Sequence, residues 1–514
     1  MLRAVVTVGG WTAASRLLGF VRDILVAAAL GAGPAADAFF VALKLPNFFR
    51  RLFGEGAFAA AFVPLFAGTL AAEGREAARR VAEGALSVLL VALSLLTVLA
   101  ILGMPQAMML LAPGFLDDPE RFPLAVELTR ITFPYLLLVC LVAAMSGVLN
   151  GLDRFAAAAA APMLFNVALI GGVVIAQGTG GSVAHGLAWG VAAAGVLQLL
   201  ALAVALDRAG MPLGLPAPRL TPEVRLLLRR MGPGAIGAGV TQINLMVDVI
   251  IASFLPAGAI AFLYYADRVN QLPLGVIGTA VGTAVLPRLS REVRAGEAAA
   301  ALATLNRAIE LALLLTVPAA VGLAVAASPI IAVLFGRGAF GDADVAATAA
   351  ALAAYATGLP AYVLVKVLAP GFFARGDTRS PVEVAAISVV LNVALNLALI
   401  GPLGHVGIAL ATVASAWANA ALLALRLGRR GQFIPDRRLV RFVLRLLLAS
   451  AATGVVVWAA ETRLLAGLFA ARGLRWAALA GLIGLGIGVF ALTALALRVA
   501  DPREVLGQIR RPRA

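Results

Sequence analysis

The stretch VVTVGGWTAASRLLGFVRDILVAAAL, residues 5–30, decides the fold. It is long enough to cross a bilayer core as a helix, which takes about 20 apolar residues. Arg16, Arg22 and Asp23 fall inside it, at what would be membrane depth. Its length and internal charges are not those of a cleavable signal peptide, whose core is short and uncharged. The stretch reads as a retained transmembrane helix whose charges need a wet or protein-lined face.

Outward from it, apolar stretches recur to the end of the chain. They lie at roughly 35–70, 86–111, 128–149, 157–176, 183–206, 234–255, 260–286, 308–335, 345–373, 381–400, 404–427, 442–460 and 474–499. The fold class this implies is an all-α polytopic membrane protein with about fourteen transmembrane helices. Composition agrees: 62% of residues are hydrophobic, 13% are charged and the mean hydropathy is +0.99. Soluble domains are nearer half apolar and a quarter charged. Barrel strands would alternate in polarity over about ten residues, and these stretches do not. The second stretch is too long for one straight helix, and Leu45-Pro46-Asn47 is where it is expected to bend or break.

The net charge of +15 is almost wholly arginine, since Lys44 and Lys366 are the only lysines. In a chain this apolar, basic excess points to the positive-inside rule rather than to nucleic acid. With the N-terminus inside, the arginine clusters around 75–80, 225–230, 288–294 and 426–445 face the cytoplasm. The loop holding Asp117, Asp118 and Glu120 then faces outward, and both termini are cytoplasmic. Cys140, the single cysteine, excludes an internal disulfide and any multi-cysteine metal site.

An internal repeat runs at an offset of roughly 225 residues. Val21-Arg22-Asp23-Ile24 resembles Met246-Val247-Asp248-Val249, and each is followed by a second helix holding Leu-Pro (Leu45-Pro46; Leu272-Pro273). Gly151-Leu152-Asp153-Arg154 matches Gly376-Asp377-Thr378-Arg379, ahead of helices carrying Asn166 and Asn392. Six spans separate each pair, so the copies share one orientation, a parallel repeat about the membrane normal. The expected organisation is an N-lobe at 1–210, a C-lobe at 211–430, two extra helices at 431–500 and a cytoplasmic tail at 501–514.

The first two stretches hold Arg16, Arg22, Asp23, Asp37, Lys44, Arg50, Arg51 and Glu55. Facing lipid, these charges together would cost on the order of 20 kcal/mol, so a water-filled cavity lined by these helices is expected. Arg16 and Asp23 share a helix face, and Asp37, Lys44, Asn47 and Arg51 fall near one stripe. Arg16 and Arg22 stand ~9 Å apart along the axis and about 120° around it. In the second repeat only Asp248, Asp267-Arg268 and Lys366 compare. The cavity is therefore basic and lopsided, and arginine forks suit the oxygens of a diphosphate. The competing account is that Arg22–Asp23, Arg50–Glu55 and Asp267–Arg268 neutralise one another and clamp helices.

Ser15-Arg16-Leu17-Leu18-Gly19-Phe20-Val21-Arg22-Asp23 and the run from Lys44-Leu45-Pro46-Asn47 to Gly54-Glu55-Gly56-Ala57-Phe58 resemble the MurJ (MviN) family of lipid II flippases. Tyr265-Ala266-Asp267-Arg268-Val269-Asn270-Gln271-Leu272-Pro273 is a second match, and the span plan extends the resemblance over the whole chain. The family belongs to the multidrug/oligosaccharidyl-lipid/polysaccharide exporter superfamily. The resemblance implies two six-helix lobes plus two helices that form a groove for a polyprenyl tail. It implies that Arg16, Arg22 and Arg268 meet the diphosphate, with Asp37, Lys44, Asn47, Arg50, Glu55 and Asp267 at other cavity or gate positions. Some members bind sodium, and the matching positions are Asp248, Asn392, Asn396 and Thr412, of which one is a carboxylate. Their alternative role is helix-to-helix hydrogen bonding. No other cofactor is expected. Lipid II and membrane phospholipids are the expected partners of a monomer, with the cell-wall synthesis machinery as a candidate associate and no nucleic acid. The expected location is the bacterial inner membrane.

Two rivals share the fold: a multidrug exporter, whose cationic substrates call for an acidic cavity, and an exporter of another lipid-linked oligosaccharide. A membrane glycosyltransferase would need outer carboxylates backed by a catalytic domain, and Asp117-Asp118 in a short loop is the only pair on offer. The chain reads as a transporter, not an enzyme.

Overall fold

A computed structural model describes the backbone of residues 2–50, 58–470 and 473–499, and their side chains except at 2–6, 232–245, 276, 279–284, 466 and 470. The described residues form helices joined by turns and loops, without a strand. In chain order the helices are α1 (Leu2–Leu30), α2 (Pro34–Phe49), α3 (Ala59–Glu73), α4 (Arg75–Leu102), α5 (Met104–Leu111), α6 (Arg121–Thr132) and α7 (Tyr135–Gly151). Then come α8 (Phe155–Thr179), α9 (Val183–Arg208), α10 (Pro222–Ala252), α11 (Ala259–Arg294), α12 (Ala298–Val325) and α13 (Ala327–Leu334). The last are α14 (Asp342–Ala356), α15 (Leu359–Phe373), α16 (Arg379–Arg429), α17 (Arg437–Ala459), α18 (Ala466–Ala470) and α19 (Arg475–Ala496). Among the described residues, 9 helices or helix pairs are long and apolar enough to cross a membrane. The molecule is an all-α polytopic membrane protein.

Two compact units divide the chain: Met1–Ala261 with Arg337–Phe340, and Phe262–Gly336 with Gly341–Ala514. This division falls after the 210/211 boundary read from the repeat. The reason is packing: α10, the first helix of the second repeat, lies against α2, α3, α4 and α5. Common ancestry of a helix and its present neighbours are separate properties.

In the first unit, Phe58, Phe62 and Phe66 stack at 4.9 and 5.8 Å. Gly147 and Gly151 of α7 admit these rings, since a Cβ there would stand 3.0 Å from Phe62 and 2.6 Å from Phe66. The α8–α9 hairpin packs backbone to backbone: a Cβ on Gly186 would lie 2.5 Å from the Gly172 carbonyl oxygen. Close approach of small residues is how helices gain contact where lipid supplies no hydrophobic drive.

Of the expected bend or break at Leu45-Pro46-Asn47, the break is corrected, because Pro46 lies inside α2, which continues to Phe49. Proline deprives the carbonyl four residues earlier of its helical partner. Here the Thr132 hydroxyl donates to that carbonyl, Ala42 O, at 3.2 Å, and the Asn47 amide donates to Leu43 O at 2.8 Å. With both acceptors satisfied, the helix passes through the proline.

In the second unit, α16 holds both stretches 381–400 and 404–427, joined where Gly404 takes φ 54 and ψ −132. Gly407 lets its two arms touch, since a Cβ there would fall 2.4 Å from Leu399 O. The extra helices attach through α17, which packs on α12. The Arg307 guanidinium bridges Glu310 and Asp436, and Asn306 donates to Ile434 O at 3.0 Å.

Candidate functional site

The polar centre of the first unit lies between α1 and α8. Arg22 donates from Nε and a terminal nitrogen to Asp23 Oδ1, at 3.0 and 2.6 Å. Its other terminal nitrogen donates to Asn166 Oδ1 at 2.9 Å, and its Cζ stands 5.7 Å from the Phe165 ring centre. Asn166 turns its amide nitrogen to Ser15 O at 3.0 Å, so one buried side chain ties a carbonyl and a guanidinium of α1 to α8. Gly19 makes the approach possible, since a Cβ there would already touch the Asn166 amide at 3.5 Å. The cluster is a braced cation, its charge balanced by one carboxylate and its direction set by one carboxamide.

This corrects one expectation. Arg22 does not stand free in a wet cavity: its side chain is 11% exposed, and that of Asp23 6%. The clamp anticipated as a competing account is present at Arg22–Asp23. Arg16, on the same helix, is exposed. α1 thus presents Arg16 open and Arg22 braced.

Asp37 is likewise corrected from a cavity-lining position. It is fully buried, and its two oxygens accept from Gly258 N at 2.7 Å and Ala261 N at 2.9 Å. Gly258 immediately precedes α11 and Ala261 lies in its first turn, where unpaired N–H groups favour an anion. Arg121 stands 3.8 Å from the same carboxylate and donates to Leu255 O at 3.1 Å and to Asp118 at 2.6 Å. Its guanidinium lies over the Phe115 ring at 4.6 Å. The Arg121 backbone N–H and guanidinium hold the Asp118 carboxyl below the usual carboxylate range. Asp118, read as a solvated loop residue, is a capping and pairing group. Arg121 escaped the sequence reading because nothing in its neighbourhood foretells burial.

Elsewhere on the candidate set, Asn47 Oδ1 accepts from Arg50 Nε at 3.1 Å and Lys44 is half-buried on α2. Glu55 and Arg51 lie outside the described residues, as does the tail at 501–514. In the second unit, Arg268 is exposed with its Cζ 4.7 Å from the Tyr264 ring centre, and Asp267 accepts from Gln271 at 3.3 Å. Lys366 of α15 crosses Gly278, where a Cβ would stand 2.9 Å from its Nζ.

The sodium candidates divide. Asn392 and Asn396 are fully buried, Asn396 donates to Asn392 Oδ1 at 3.0 Å, and Asn392 donates to Thr412 at 3.4 Å. Thr412 in turn donates to Ile408 O at 3.0 Å. A hard cation needs several oxygens turned toward one point. Asn392 and Thr412 tie the two arms of α16 together, Asn396 bonds to Asn392 within one arm, and Asp248 lies on α10.

The lipid II flippase MurJ family matches residues 26–472. The chain belongs to this family. A relative from Rhizobium meliloti (strain 1021), described as a probable lipid II flippase MurJ, is 45% identical over 517 residues, 99% of this chain and 96% of its own. One from Burkholderia cenocepacia, described as lipid II flippase MurJ, is 37% identical, covering 90% of each. A solved lipid II flippase MurJ in an inward closed conformation superposes with a TM-score of 0.78 at 25% identity, over 96% of this chain and 99% of that one. A multidrug resistance MATE transporter of the MOP superfamily shares the fold, with a TM-score of 0.69 at 17% identity over 81% of this chain.

Proposed function

We propose that this member of the MurJ family carries lipid II, the undecaprenyl-diphosphate-linked peptidoglycan precursor, from the cytoplasmic to the periplasmic leaflet of the bacterial inner membrane. It does so by alternating access, as a transporter and not an enzyme. Fourteen crossings with both termini in the cytoplasm, and a polyprenyl groove on α17 and α19, belong to the same reading. The observation that carries it is the pair of guanidiniums on α1: Arg16 open, and Arg22 braced by Asp23 and Asn166. Two arginines ~9 Å apart along a helix suit a ligand with two linked phosphates. Arg268 joins them on the strength of its motif. A rival exporter of cations is disfavoured, because a basic site repels its substrate. Outward movement of a negative headgroup is helped by an inside-negative potential, worth about 2.3 kcal/mol per charge per 100 mV.

Complementation of a strain depleted of its own flippase tests this. Arg16→Ala, Arg22→Ala and Arg268→Ala are expected to insert normally and fail to support growth, with lysine rescuing incompletely because it lacks the planar fork. Wild-type growth with all three alanine variants would remove the substrate assignment.

A further inference from the structure

A second cluster of arginines stands apart from the α1–α8 centre. In the second unit, Asp377, Arg379, Ser380, Glu383, Arg426, Arg429 and Arg430 line a cleft of about 470 Å³. It is built where the two ends of α16 come together, so two chain segments contribute, 377–383 and 426–430. Four arginines face two carboxylates, leaving an excess of two positive charges. Positive-inside arginines ordinarily splay into water, whereas these are held. Arg430 donates to Asp377 at 2.7 Å and to the Ser380 hydroxyl at 3.0 Å, with its Cζ 5.5 Å from the Phe372 ring centre. Arg426 and Arg379 grip the two oxygens of Glu383, at 2.8 and 2.7 Å. Each of these contacts uses one edge of a guanidinium that has five N–H donors. The remaining edges, and Arg429, which makes no ion pair among the described residues, are free for a ligand.

We infer that this cleft binds the phosphate of an anionic ligand, and that its source is the phosphodiester headgroup of an anionic phospholipid. The shared chemistry is a phosphate taken by preset arginine forks, which favour its oxygens in bidentate fashion. The lipid source is favoured by position. The cleft sits at the ends of apolar helices, at the face that the arginine distribution assigns to the cytoplasm, where the leaflet is anionic and juxtamembrane arginines meet headgroups. The inference does not depend on the transport reading, because none of these residues belongs to the α1–α8 centre.

The test uses the full chain purified in neutral detergent, titrated with dioctanoyl phosphatidylglycerol, dioctanoyl phosphatidylcholine and inorganic phosphate. The phosphatidylglycerol is expected to bind about tenfold tighter than the phosphatidylcholine. The double variant R379Q/R429Q, two exposed side chains whose loss leaves the helix packing intact, is expected to lose most of that preference at an unchanged melting temperature. R291Q, an exposed arginine elsewhere in the unit, is expected to keep it. Equal affinity for the two lipids, or a double variant that binds like the wild type, overturns the site. Inorganic phosphate binding as tightly as phosphatidylglycerol overturns the lipid source.

Discussion

Asn166 on α8 and Asn392 on α16 hold matching places in the repeat, and the protein uses them differently. Asn166 reaches outside its hairpin, to the Arg22 guanidinium and the Ser15 carbonyl of α1. Asn392 stays within its hairpin, paired with Asn396 and Thr412. The scaffolds around them match: each hairpin closes on a glycine, Gly186 or Gly407, pressed against a backbone carbonyl of the facing arm. The two copies therefore keep the device that packs the helices and differ in the side chains that handle charge.

The most severe way to break this comparison is to remove both amides. Asn166→Leu takes a hydrogen bond from a charged group, worth about 1.5–3 kcal/mol. It is expected to reduce lipid II transport roughly 10- to 100-fold, while Asn166→Asp, which can still accept from Arg22, retains more. Asn392→Leu removes two neutral hydrogen bonds, to Asn396 in its own arm and to Thr412 across the hairpin, the latter kind worth about 0.6 kcal/mol on average in membranes. It is expected to lower the melting temperature slightly and leave transport within about threefold. Equal transport defects in the two leucine variants would erase the distinction.

Gly186→Ala and Gly407→Ala sharpen the other half of the comparison. Both would place a methyl under 3 Å from a carbonyl oxygen. Overpacking of this kind costs about 1–3 kcal/mol. Matching losses of thermal stability are expected, and a large difference between them would show that the hairpins do not share their packing device.

Smaller effects are expected at the hairpin entrances. Each entrance holds one left-handed residue at a different place in the matched motif: Asp153 (φ 59), opposite Thr378, and Gly376 (φ 76), opposite Gly151. Asp153→Gly is expected to stabilise by roughly 0.5–1 kcal/mol in thermal unfolding. Asp377→Gly is expected to destabilise, because Asp377 accepts from Ser380 N and Arg430. Arg430 and Ser380 hold the Asp377 carboxyl well below the usual carboxylate range. A depressed carboxylate stabilises the fold above its unfolded value, about 3.9, and that contribution is lost as pH falls through the folded value. The melting-temperature gap between wild type and Asp377→Asn should stay level from pH 7 to pH 5 and shrink below about pH 4.

The helices and the polytopic fold class were legible in the sequence because both rest on local spacing. Residue-level roles were less so. Pro46 read as a bend or break because the hydroxyl that substitutes for its missing N–H belongs to Thr132, far along the chain. Asp37 shares a stripe with Lys44 and Asn47, but periodicity does not distinguish a wet face from the buried start of another helix. The brace on Arg22 depends on Asn166, which the sequence marked only as a repeat landmark.

Binding of undecaprenyl diphosphate and undecaprenyl monophosphate to the purified wild type and to Arg22→Ala tests the central claim most directly. The account predicts that the wild type prefers the diphosphate by about tenfold or more, a charge-assisted contact being worth about 1.5–3 kcal/mol, and that the variant loses this preference. Wild-type protein that binds the two lipids equally, or a variant that still discriminates between them, would contradict it.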